Sequence, residues 1–173
     1  MVKPLILGSD NHPIEVIPNT TSAGVADANK LVMLDSSGKL DISLLPNGIG
    51  ADTKIAPASE NLSAGDIVNL WNNSGTLKVR KADASGGVAK KAIGFVSSAV
   101  TSGQDATVYL DGTISGLSGL TLGTTYALSH STPGGVIALA SATTTAGHIL
   151  QEVGYATSAT ELLFKYTKPI IRA

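Results

Sequence analysis

The chain has 173 residues, no cysteine and a net charge of −1, and 43% of it is hydrophobic while only 4% is aromatic. Without cysteine there are no disulfides, no thiolate chemistry and no Cys-ligated zinc, and a near-neutral balance lacks the basic footprint by which proteins hold nucleic acid. The length suits one domain with an arm, or two small domains. Nineteen glycines, with many Ser and Thr, favour turns and strands over helices.

No apolar run reaches the length of a membrane span, and the apolar run near Met1 is too short for a signal peptide, so a soluble protein made in a cytosol is expected. The Asn-x-Ser/Thr triplets at Asn19, Asn61 and Asn72 then carry no meaning as glycosylation sites.

Residues 1–22 hold Pro4, Pro13 and Pro18 between the apolar patches Leu5-Ile6-Leu7 and Ile14-Glu15-Val16-Ile17. That proline density forbids a helix and suits an extended arm, which must pack on a neighbouring subunit or a larger surface. In residues 23–50, Leu31–Leu34 reads as a short strand, Asp35-Ser36-Ser37-Gly38 as a turn and Lys39-Leu40 as its return. Asp41–Leu45 reads as a single helical turn capped by Asp41 and stopped by Pro46. Residues 51–60 are small and flexible and read as a linker.

The remainder, 61–168, repeats one pattern of short strand, Gly or Ser turn, short strand. Its clearest instance is Ile67–Trp71 and Leu77–Lys81 around Asn72-Asn73-Ser74-Gly75, a β-hairpin signature. Further strands are expected near Ala92–Ser98, Ala106–Leu110, Thr125–Leu128, Val136–Leu139, Ile149–Ala156 and Glu161–Tyr166, before a tail at 169–173. The expected fold class is mainly β: a C-terminal antiparallel β-sandwich or small barrel, preceded by an extended N-terminal arm with a short hairpin.

Chemical motifs are weak. The Gly-rich stretch from Gly112 lacks the Gly-Lys-Ser/Thr ending of a phosphate loop, and neither Ser115 nor Ser118 sits in a nucleophile elbow. His12, His130 and His148 are scattered. Asp10-Asn11-His12 is a poor metal cluster, and Asp35–Gly38 is half a calcium loop without its closing acid. Nothing singles out a glycosidase pair among Asp66, Asp83, Asp105, Asp111, Glu152 and Glu161. Lys78, Arg80, Lys81, Lys90 and Lys91 read as a solvated face, and Trp71, Tyr109, Tyr126, Tyr155 and Tyr166 as packing rather than a sugar platform. No catalytic, cofactor-binding or metal-binding residue is assigned, and no cofactor.

Two stretches resemble virion structural proteins of tailed bacteriophages, particularly head-decoration and head-fibre proteins. Ala23–Pro46 is similar to a strand, Asp-x-x-Gly turn and Leu-Asp-x-Ser-x-Leu-Pro element found in such chains. Ala64-Gly-Asp-Ile-Val-Asn, Arg80-Lys-Ala-Asp, Ile93-Gly-Phe-Val, Gly119–Ser129, Pro133-Gly134-Gly135 and Gln151–Ala156 resemble their recurring β-domain.

The resemblance implies a non-enzymatic protein on the virion's capsid surface, usually a homotrimer, whose partner is the major capsid protein, with no nucleic-acid or membrane partner. On that reading residues 1–50 anchor the protein, through Leu5, Ile6, Leu7, Ile14, Val16 and Ile17, and Leu40, Ile42, Leu44 and Leu45 are buried between subunits. The absence of shaft repeats departs from long tail fibres. The alternative is a receptor-binding tail protein for host surface polysaccharide, which expects Trp71 or a tyrosine to be exposed.

Overall fold

The computed structural model describes residues 4–45 and 52–173, without the side chain of Ile42. Pro46, expected to stop the helical turn, lies outside the described residues. The chain divides into two compact units, 1–50 and 51–173.

In the first unit, strands β1 (Leu5–Leu7) and β2 (Pro13–Glu15) form an antiparallel hairpin. Proline is tolerated there as the first residue of an edge strand. The proline-rich segment is therefore folded back on itself rather than extended throughout. The expected strand at Leu31–Leu34 is reduced to a parallel bridge between Asn19 and Val32, while the Asp35 turn and the helical turn Ile42–Leu44 both form.

The strand pairs of the second unit's sheets are all antiparallel. One five-stranded sheet has the order β3 (Thr53–Pro57), β7 (Asp105–Tyr109), β6 (Gly94–Val96), β4 (Ile67–Asn73), β5 (Thr76–Lys81). The other has the order β10 (Val136–Ala138), β9 (Thr125–Leu128), β12 (Glu152–Ala156), β13 (Leu162–Phe164), β8 (Gly112–Ile114). A small third sheet joins β11 (Ile149–Leu150) to β14 (Ile170–Ile171). This is a mainly β architecture consistent with a β-sandwich, and no barrel is closed.

The β4–β5 hairpin forms where the Asn/Ser/Gly cluster places it. Ser74 and Gly75, both at positive φ, make the two-residue loop, and the Asn72 side chain accepts the Gly75 N–H at 2.7 Å. Two positive φ values match the twist of paired strands.

Two cores follow from the alternation of side chains along the strands. Ile67 and Phe95 of the first sheet meet Ile114, Leu128, Val153, Leu162 and Phe164 of the second, all buried. Phe95 lies 5.6 Å from Phe164 and stacks on Tyr109 at 5.4 Å between ring centroids. On the first sheet's other face, Val68, Val79, Val96, Ala106 and Val108 pack with Ala58 and Leu62. That sheet coils until Ala58 meets Val79 in a single parallel bridge.

Three strands of the second unit were not expected. β3 lies inside the 51–60 stretch read as linker, β8 inside the Gly-rich stretch and β14 inside the tail. Conversely, the expected strand Ile149–Ala156 is cut at Gln151, and its halves join different sheets. The buried Gln151 amide donates to Ala92 O and Thr167 O and accepts from Ala92 N–H at 2.7 to 2.9 Å.

Beyond the cut, β12 bulges between Glu152 and Gly154. Gly154 has φ of +145°, and a Cβ there would run into the Leu163 carbonyl. Gly154→Ala should therefore destabilise the second unit by at least about 2 kcal/mol, measured by urea denaturation; a change below about 0.5 kcal/mol would show that the bulge relaxes freely.

Candidate attachment site

The β1–β2 hairpin gathers most of the predicted anchoring residues. Cross-strand pairs Leu5–Glu15 and Leu7–Pro13 share one face, and Ile6–Ile14 the other. The turn is held by the Gly8 N–H on His12 O and the Asn11 N–H on Gly8 O, at 2.8 and 3.0 Å. Asn11 takes a positive φ, which asparagine accepts better than most residues.

Neither face of this hairpin is covered within its unit. Leu5, Ile6, Leu7, Ile14 and Ile17 are between 42% and 72% exposed, and Val16 is half-buried, its N–H on Pro4 O. Of the predicted subunit contacts, Leu40 is exposed while Leu44 and Leu45 are half-buried; the Ile42 side chain is outside the described residues. Val25, which the sequence reading did not single out, is 93% exposed at the 3-10 turn Gly24–Asp27.

Short polar side chains, not a core, hold this unit's loops. Asp35 Oδ1 accepts from the Ser37 and Lys39 N–H groups, and the Ser43 Oγ accepts the Ser22 N–H at 2.8 Å. Asp27 accepts from the Ala23 N–H at 2.6 Å and from Lys30 Nζ at 2.8 Å. The backbone N–H of Ala23 first, and then Lys30 and Asn19, bring its pKa down to about 2. The Asp41 carboxyl is likewise lowered, by the Ser43 hydroxyl first and its backbone N–H second. The exposed Asp10 carboxylate accepts from the His12 N–H and lies 3.5 Å from His12 Nδ1, and no group of three or more His, Cys, Asp or Glu able to hold a metal occurs among the described residues.

In the second unit the aromatic side chains do not converge. Tyr126 is buried, with its hydroxyl accepting the Thr121 N–H. Trp71 is half-buried, its ring covered by the Arg80 guanidinium at 4.5 Å. Tyr155 and Tyr166 are exposed, in separate depressions.

The basic residues there are more engaged than a solvated face requires. Arg80 donates to Asn69 Oδ1 and Ala89 O, Lys81 pairs with Asp66 at 3.2 Å and Lys90 with Asp83 at 3.8 Å. The Gly-rich stretch from Gly112 carries β8 and turns and leads into β9, not into a helix. His130 and His148, distant in sequence, come within 6.3 Å of each other between ring centroids. His148 Nδ1 bonds the Thr143 hydroxyl, and His130 Nδ1 is buried without a hydrogen-bond partner among the described residues. No local pattern announces that pair, because it is assembled by loops from different strands.

No protein-family model matches the chain, and no curated protein matches it. Among solved structures it is similar to the N base of head fiber gp8.5 of bacteriophage phi29, with 11% identity over 69% of this chain and 98% of that one and a TM-score of 0.44.

The lowered Asp27 carboxyl gives a pH signature. With a folded value of about 2 against 3.8 in the unfolded chain, its support of the loop is complete above that unfolded value and is lost as pH falls through the folded one. The Ala23 amide proton, followed by NMR, should therefore titrate with a midpoint near 2, and Asp27→Asn should abolish the inflection. A midpoint at the ordinary carboxylate value would mean that the bond does not hold in solution.

Proposed function

We propose that this chain is a non-enzymatic bacteriophage capsid decoration protein of the head-fibre type, attached through its N-terminal unit to the major capsid protein. One observation carries the reading. Among the described residues of that unit, Leu5, Ile6, Leu7, Ile14, Ile17, Val25, Leu31, Val32, Leu34 and Leu40 are all exposed, and only Pro18 is buried. Scattered surface apolar residues are ordinary, but a unit that buries almost none of its own is completed by a partner.

The second unit has the opposite character, with two filled cores. The resemblance of Ala23–Pro46 and of the later motifs to decoration and head-fibre chains supports the capsid surface as that partner. In this reading Leu5 and Leu7 meet the capsid, and Leu40, Ile42, Leu44 and Leu45 meet neighbouring copies in a homotrimer. Repetition over many sites on one particle multiplies a modest single contact.

Sedimentation with undecorated capsids tests it. Deleting residues 1–22 should abolish co-sedimentation while the thermal transition of the second unit stays in place. The double variant Leu5→Asp/Leu7→Asp should weaken binding by at least about 100-fold, since burying each leucine contributes roughly 1.5–3 kcal/mol. Retained binding by the deletion would remove the anchor assignment. Sedimentation with host cells but not capsids would favour polysaccharide recognition at the tail instead.

A further inference from the structure

A second surface lies wholly in the C-terminal unit and stands apart from the attachment reading. Val88, Lys91, Tyr166, Lys168, Pro169 and Ile171 line an open groove of about 470 Å³. Its apolar surface is left in water: Val88 is 44%, Tyr166 45% and Ile171 61% exposed.

The groove is also cationic. Lys90 next door is paired with Asp83, but among the described residues neither Lys91 nor Lys168 has an ion-pair partner. Lys91 and Lys168 are the charged residues of the groove's lining, and no Asp or Glu stands among the lining residues. A positive groove on a chain of net charge −1 calls for a complementary negative occupant.

The groove is bordered by a free strand edge. Among the described residues, β14 pairs only with β11. Arg172 faces β11, its N–H on His148 O and its carbonyl accepting from Gly147 N–H. By strand alternation the N–H and C=O of Ile171 then point away from β11, towards an unpaired edge.

We propose that this groove takes an extended peptide segment of a partner protein, alternating carboxylate and apolar side chains, which adds as a strand to the outer edge of β14. Its carboxylates pair with Lys91 and Lys168, its apolar side chains lie on Val88, Tyr166 and Pro169, and its main chain bonds Ile171. An acidic sugar is less well served. The lining holds no Asn, Asp, Gln or Glu to share hydroxyl hydrogen bonds, and aliphatic side chains outnumber its one aromatic ring. Two lysines are too few for a nucleic-acid track.

The test is selection of a displayed random heptapeptide library on the intact protein and, in parallel, on its Lys91→Glu/Lys168→Glu variant, with circular dichroism verifying the variant's fold. The expected peptides alternate Asp or Glu with apolar residues and bind the variant about tenfold or more weakly. They weaken as salt rises and lose binding when alternate amides are N-methylated. Recovery of no peptide that distinguishes the two proteins overturns the proposal, as does a peptide indifferent to N-methylation. Binding of an oligomannuronate at the same lysines, with no peptide recovered, overturns it in favour of an acidic glycan.

Discussion

Ile67 and Val68 are neighbours in β4, face opposite sides of their sheet, and are both fully buried. A strand with two buried faces obliges the sheet around it to be covered twice, and the C-terminal unit is arranged to do so. One side is covered by the second sheet, through Phe95 and Phe164. The other is covered by the sheet's own curl, with Ala58 and Leu62 folded over it. Small side chains make the curl feasible: Ala56, Ala106, Val68, Val79, Val96 and Val108 fill a tight concave face that larger residues would hold open. A chain with so few aromatics can thus build a well-filled core by using both faces of one sheet.

Covering a sheet twice leaves backbone groups buried where strands part, and polar side chains meet that demand. Gln151 is the clearest case. At the point where one extended segment leaves the β11–β14 sheet and enters the second large sheet, its amide pairs with Ala92 and Thr167. Asn69 plays a related part, donating to Lys91 O while accepting from Arg80. Asp83 caps the turn at Ser85. These residues join loops to strands from within, so the apolar core is continuous around them.

The N-terminal unit obeys a different rule. Its loops are set by Asp27, Asp35 and Asp41 through short-range bonds to backbone N–H groups, with Ser43 reaching back to the Ser22 N–H, and its apolar side chains are turned outward. A unit organised by turns needs few buried residues to keep its shape. Its leucines and isoleucines are then left in water, and that exposure is what supports the attachment proposed for this unit.

Local chemistry was legible in the residue order. The mainly β class, the β4–β5 hairpin, the turn at Asp35 and the cap at Asp41 all follow from side chains acting on backbone within a few positions, as did the clustering of Leu5, Ile6, Leu7 and Ile14 as apolar patches. Pairing between distant segments was not legible. Thr53–Pro57 is a strand because β7 lies beside it, and Gly112–Ile114 because β13 does; neither has enough intrinsic strand preference to declare itself. The cut at Gln151, the approach of His130 to His148 and the groove beside β14 arise the same way, from sequence neighbours sent to different sheets or distant ones brought together. Turn and alternation signals act over a few residues and survive in any context, whereas sheet partnership depends on which apolar faces must be covered, a condition met only when the whole unit has folded.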